Sequence, residues 1–79
     1  MVRLLRISGK DLVRKLKALG FEVFDQSGSH VYLHKWDEEQ NNWSQRVTVS
    51  VHGNKTLKLG TLKSIFRQAE IDEEEFSGG

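Results

Sequence analysis

Histidines stand at positions 30, 34 and 52 of this 79-residue chain. An imidazole is the side chain best suited to take up and return a proton near neutrality. His30 follows a flexible Gln26-Ser27-Gly28-Ser29 stretch, and Tyr32, His34 and Trp36 come after it at every second place. Spacing by two sends strand side chains to one face, so these four rings share a surface. His30 and His34 are two pleats apart, on the order of 13 Å at ~3.3 Å per residue, so the pair cannot hold one zinc ion. With no cysteine in the chain there is no thiolate metal site, and neither a metal nor a cofactor is expected. Further on, Arg46, Lys55, Lys58, Lys63 and Arg67 occur between 46 and 68 without a single acid.

The net charge of +1 conceals this asymmetry, because residues 70–79 hold five acids and no base while residues 1–69 carry +6. An acid-free basic stretch suits a phosphate-bearing partner, although an ordinary solvated surface has the same composition. The length fits one domain over 1–79, near the size at which a single apolar core barely offsets chain entropy. The absence of cysteine predicts a chain stabilised by packing alone, in the cytoplasm. No apolar run is long enough to span a membrane, and the N-terminus lacks the long apolar segment of a secretory signal.

The elements that must position these residues are legible in outline. Ile7-Ser8-Gly9-Lys10-Asp11-Leu12 is a helix start: Ser8 caps, Asp11 returns the bond, and Ile7 staples onto Leu12. Leu12, Val13, Leu16 and Leu19 form an apolar stripe, and Gly20 ends the helix. Strands are expected over 21–26, 30–36 and 46–52, although Phe21, Val23 and Phe24 do not alternate cleanly. The segment 37–45 reads as a polar loop. A second helix is expected from about Thr61, with Leu62, Ile65, Phe66 and Ala69 on one side. Ile71 to Phe76 repeats the capping pattern and predicts a short terminal helix, followed by a frayed end at 77–79. The order is α-β-β-β-α with a helical tail, an α+β fold whose three-stranded antiparallel sheet has two helices on one face.

Alternation also assigns the faces. Val47, Val49 and Val51 point to the core with Val31 and Leu33, leaving Arg46, Thr48, Ser50 and His52 on the open face with His30, Tyr32, His34 and Trp36. For both apolar sets to meet the same helices, the numbers of paired residues must sum to an even value. A sum of 82 would set His30 opposite His52, and 80 or 84 would shift the partners by two.

At this point the chain resembles the HicA family of small toxins, the messenger-RNA interferases of bacterial toxin–antitoxin pairs. The resemblance spans roughly residues 7–76 and rests on SGKDLVRKLKALGFEVFDQSGSHVYL, RVTVSVHGNKTLKLGTLKSIFRQAEI and the DEEEF close. Its most telling pieces are Gly28-Ser29-His30, His52-Gly53-Asn54-Lys55 and Gly60-Thr61-Leu62. It implies a double-stranded-RNA-binding-domain-like fold, metal-independent cleavage of messenger RNA and neutralisation by a HicB-type antitoxin. It also implies that His30, in the Gly-Ser-His motif, is the catalytic residue. Ser50 stands where relatives often have proline, Glu70 where they often have glycine, and the 37–45 loop is long and acidic for the family.

The chemistry fits that role, because RNA carries its own nucleophile in the 2′-hydroxyl. A base that removes its proton lets the oxygen attack the adjacent phosphorus, and nearby cations offset the charge that develops. Arg46, Lys55 and Lys58 are candidate cations, with Lys63 a further phosphate ligand. Gly28 lets a phosphate approach the backbone and Ser29 offers a hydroxyl or N–H, although the same residues also make a plain turn. His52 is open between acid to the leaving oxygen and structural turn residue. Tyr32 and Trp36 are open between stacking bases and meeting a protein partner. A non-catalytic RNA-binding module of the same fold is the alternative function, and a pure interaction domain a third.

Overall fold

The computed structural model describes residues 7–44, 46–53 and 55–72. Helix α1 spans Gly9–Ala18 and begins as its cap residues dictate: the Asp11 N–H donates to Ser8 Oγ at 3.1 Å. Such a cap stabilises a helix by about 1 kcal/mol. The Asp11 carboxylate instead lies 3.9 Å from Arg14 on the exposed surface. Leu12 and Leu16 are fully buried, and Gly20, with φ of 102°, carries the chain out of the helix.

Four strands follow: β1 (Phe21–Ser27), β2 (His30–Asp37), β3 (Asn42–Trp43) and β4 (Val47–Ser50). All pairings are antiparallel and all involve β2, with β1 on one edge and β3 and β4 in line on the other. The third strand expected over 46–52 is therefore present but shorter, and the expected 37–45 loop contains a strand. Asp37 organises the turn before β3, its carboxylate accepting the N–H groups of Glu39 and Gln40. The break falls at 44–46, where the Ser44 N–H donates to the Lys35 carbonyl and Ser44 Oγ accepts the Lys35 N–H.

The break sets the register. Trp36 pairs with Trp43 and Asp37 with Asn42, so paired numbers sum to 79 in the hairpin; beyond the break Leu33 pairs with Val47 and Val31 with Val49, a sum of 80. One extra residue on the β3–β4 side makes the sum even, as burial requires. The alignment that would set His52 opposite His30 does not form: Ser50 takes that place. Val31, Leu33, Val47 and Val49 then share a core with Phe21, Leu12, Leu16, Leu62, Ile65 and Phe66.

Helix α2 spans Leu59–Ala69, starting two residues before the expected Thr61. Its approach is tied to α1, since Ser8 bridges Thr56 and the Leu57 N–H donates to the Ile7 carbonyl at 2.8 Å. Both helices lie on one face of the sheet, the architecture of a double-stranded-RNA-binding-domain-like fold. The expected terminal helix lies largely at 73–76, outside the described residues. No helix among the described residues is long and apolar enough to cross a membrane.

Two glycine positions matter to this frame. A Cβ at Gly9 would collide with the Ser50 carbonyl oxygen and come within 3.2 Å of Val51 Cα, so α1 seats on β4 only with glycine there. Gly9→Ala should lower stability by roughly 1–3 kcal/mol in urea unfolding, whereas Gly60→Ala, whose new Cβ meets nothing within 4 Å, should raise it by about 0.5–1 kcal/mol. Conversely, Glu70 occupies a left-handed position (φ 56°, ψ 42°) at the end of α2. Glu70→Gly should stabilise by about 0.5–1 kcal/mol in the same measurement, since an L side chain is strained there.

Candidate functional site

His30 owes its place to the tight β1–β2 hairpin. Ser27 pairs with His30, leaving Gly28 and Ser29 as a two-residue turn. Gly28 has φ of 58° and no positive φ occurs at Ser29, the pattern of a type II′ turn that matches the twist of the flanking strands. Glycine is required by the backbone angle alone, because a Cβ at Gly28 would meet nothing within 4 Å. The turn is pinned from the side, where the Val51 N–H donates to the Ser29 carbonyl at 2.7 Å. His30 is exposed at the first position of β2, on the open face.

His52 lies beyond β4, exposed and past Ser50 rather than opposite His30. Its carbonyl accepts the Lys55 N–H at 3.1 Å and so closes a turn through Gly53, which has φ of 57°. Backbone geometry thus gives His52 a turn role.

His34 differs again. Its ring is stacked between Phe24 (centroids 4.2 Å apart, planes 25° apart) and Trp43 (3.8 Å, 10°), and Trp36 meets Trp43 edge-on at 5.3 Å. Tyr32 is flanked by Phe24 at 6.4 Å and by the Arg46 guanidinium at 5.6 Å from its ring centre. A column of rings therefore crosses the open face from β1 through β2 to β3. It occupies His34 and half-buries Tyr32, while His30 stands apart from it with no ring contact recorded among the described residues.

Phe24 reaches this column through a bulge. Val23 pairs with Leu33 and Asp25 with Tyr32, so Phe24 is the extra residue on β1. The imperfect alternation over 21–26 was its sequence signal. Trp43 had a fainter one: Asn41-Asn42 after the acidic run is turn chemistry, and Asn41 takes φ of 53°.

The cations divide. Lys55 follows the His52 turn, which is linked to the Gly28-Ser29 turn through Val51 and Ser29. Lys58 is the N-cap residue of α2 without a capping side-chain bond, and the start of α1 presses on Ser50, the partner of His30. Two helix N-termini and two exposed lysines thus gather at the His30 end of the sheet, a region of positive potential. Arg46 is held over Tyr32, farther along the open face. Lys63 is exposed one turn into α2 and belongs to the helical layer.

Fold and site together define a small α+β domain that presents an imidazole and cations at one end of an uncovered sheet. The profile of a family described as "HicA toxin of bacterial toxin-antitoxin" matches residues 9–71, from the first turn of α1 to just past α2. The chain belongs to that HicA toxin family, and is a toxin of a toxin–antitoxin system. No curated protein matches it.

The stacked column makes its own prediction. His34→Ala removes two ring contacts and should destabilise the fold by roughly 1–3 kcal/mol, at ~0.5–1.5 kcal/mol for each pair. His34→Phe should keep most of that stability in thermal and urea unfolding, since a flat ring and not a titrating group is what the position needs.

Proposed function

We propose that this toxin is an endoribonuclease that cleaves messenger RNA, with His30 as the general base. The observation that carries this reading is the separation of the three histidines. His34 is stacked between rings and His52 begins a turn, while His30 is exposed beside the Gly28-Ser29 turn on the open face. Family membership supports the same residue, because His30 is the histidine of the Gly-Ser-His motif in the matched region.

In the reaction, His30 takes the proton of a 2′-hydroxyl. The 2′-oxygen bonds to the adjacent phosphorus, and the bond from phosphorus to the 5′-oxygen breaks. That oxygen takes a proton from solvent at this open end, leaving a cyclic 2′,3′-phosphate and a 5′-hydroxyl. Gly28 and Ser29 offer backbone N–H groups and a hydroxyl to the phosphate, and Lys55, Lys58 and the two helix N-termini offset the charge that builds on it. Arg46 and Lys63 hold flanking phosphates on the sheet and helical sides respectively. The ribose supplies the nucleophile and the lysines the positive charge, so the chemistry calls for no metal. The partner that silences the toxin is an antitoxin of the HicB type, and the cytoplasm, where messenger RNA is translated, is the place of action.

His30→Ala should lower the cleavage rate of an RNA oligonucleotide by 10²-fold or more, at unchanged thermal stability. The parent should cleave in the presence of a metal chelator and should leave a 2′-deoxy version of the same oligonucleotide intact. A variant as fast as the parent, or a parent that cuts only when metal is added, returns the chain to the class of non-catalytic RNA-binding modules.

A further inference from the structure

The open face of the sheet carries more than its histidine requires. Phe24, Trp36 and Trp43 are each about two-fifths exposed (42, 42 and 44 %), an unusual amount of bare ring for so small a domain. We infer that the ring column Phe24–His34–Trp43–Trp36 is a nucleobase platform that restricts the substrate to unpaired RNA. The inference rests on the endoribonuclease reading and adds the substrate class and the residues that select it.

Geometry is the first argument. The ring centroids of Phe24 and His34 lie 4.2 Å apart and those of His34 and Trp43 3.8 Å apart, with neighbouring planes within 25° of parallel, the arrangement of a base stack. Phe24 ends the column on β1, which has no strand beyond it among the described residues, and Trp36 closes the other end edge-on. A flat base extends such a column beyond Phe24 or lies against the exposed ring of Trp36, provided it is not already paired and stacked within a duplex.

Composition is the second. The column shares its face with His30, Arg46, Thr48, Ser50, Glu22, Asp25 and Ser27, and no aliphatic side chain of a described strand points there. Val23, the exposed aliphatic of β1, pairs with Leu33 and so belongs to the core side. The rings, the guanidinium and the hydroxyls are groups that meet bases and a phosphate.

Continuity is the third. His30 and Trp36 lie on one face of β2, about 20 Å apart at ~3.3 Å per residue, a span of several nucleotides. Arg46 stands between them over Tyr32, placed to hold a phosphate on the way. The turn that begins at Asp37, with Glu38 and Glu39, lies just past Trp36 and repels phosphate, so the footprint ends there. Tyr32 is excluded from the platform because Phe24 and Arg46 already flank its ring.

The chain's two tryptophans are Trp36 and Trp43, so intrinsic tryptophan fluorescence reads this column alone. The probe is a short 2′-O-methyl RNA oligonucleotide, which cannot supply the nucleophile and is not consumed. Free in solution it should quench the fluorescence and bind; annealed to its complement it should do neither at the same concentration. Trp43→Ala and Trp36→Ala should each weaken binding about tenfold or more, while Trp43→Phe, which keeps a ring and guards against loss of fold, should bind nearly as the parent does.

Equal or tighter binding of the duplex overturns the inference. So does parental affinity in a folded Trp43→Ala protein, or quenching by an antitoxin protein and by no oligonucleotide. The outcomes separate from the catalytic assignment. His30→Ala should quench like the parent with the 2′-O-methyl probe while cleaving ordinary RNA about 10²-fold or more slowly. If it cleaves at the parental rate, His30 loses its role and the platform keeps its evidence; if cleavage is lost but Trp43→Ala binds unchanged, only the platform falls.

Discussion

Among the described residues every hydrogen-bonded pairing between strands runs through β2, and the strict alternation of its side chains organises the rest. Its odd residues, Val31 and Leu33, are buried against both helices; its even residues, His30, Tyr32, His34 and Trp36, form the spine of the open face. Slipping β2 by one residue would exchange the two sets. The fold would then expose its core and bury an imidazole among leucines, so stability and the proposed chemistry depend on the same register.

Parity was legible in the sequence, and the absolute register was not. Alternating valines require an even sum of paired numbers but leave 80, 82 and 84 equal. The choice is made by the turn after Asp37, which fixes the hairpin, and by the extra residue at 44–46, which corrects its parity. Neither has a strong composition signal. The same holds for the two rings the sequence did not assign to the site. Phe24 depends on a bulge, visible only as faulty alternation, and Trp43 depends on a two-residue strand embedded in polar residues. By contrast, α1 was readable from end to end, because Ser8, the leucine stripe and Gly20 each act locally. The start of α2 was placed too late because Lys58 is no capping residue and Gly60 is a poor helix former; packing of Leu62, Ile65 and Phe66 overrides both. The exposed His30, the loop lysines and the helical order all lie where the residue pattern put them.

Charge is distributed along the sheet as well as through the sequence. The two helices begin side by side, tied by Ser8 to Thr56 and by Ile7 to Leu57, and α1 rests on β4 through Gly9 at the level of Ser50. This brings two positive helix ends and the loop lysines to the His30 end. At the other end α2 finishes at Glu70, near Asp37, Glu38 and Glu39 around a cleft lined also by Lys35, Trp36 and Ala69. The domain is therefore an electrical dipole lying roughly along β2. A polyanion approaching it is turned before it touches, positive end first, which favours fast and oriented encounter in dilute salt.

The bulge at Phe24 has a second effect, on how copies of the chain meet one another. Among the described residues β1 is an outer strand of seven residues with no strand paired on its far side, the usual template for runaway strand addition. The extra residue splits that edge into two short stretches on either side of position 24 and increases its local twist. Neither stretch is long enough to hold a neighbouring strand firmly. The irregularity that raises an aromatic ring to the surface thereby also makes the outer edge a poorer template for strand addition.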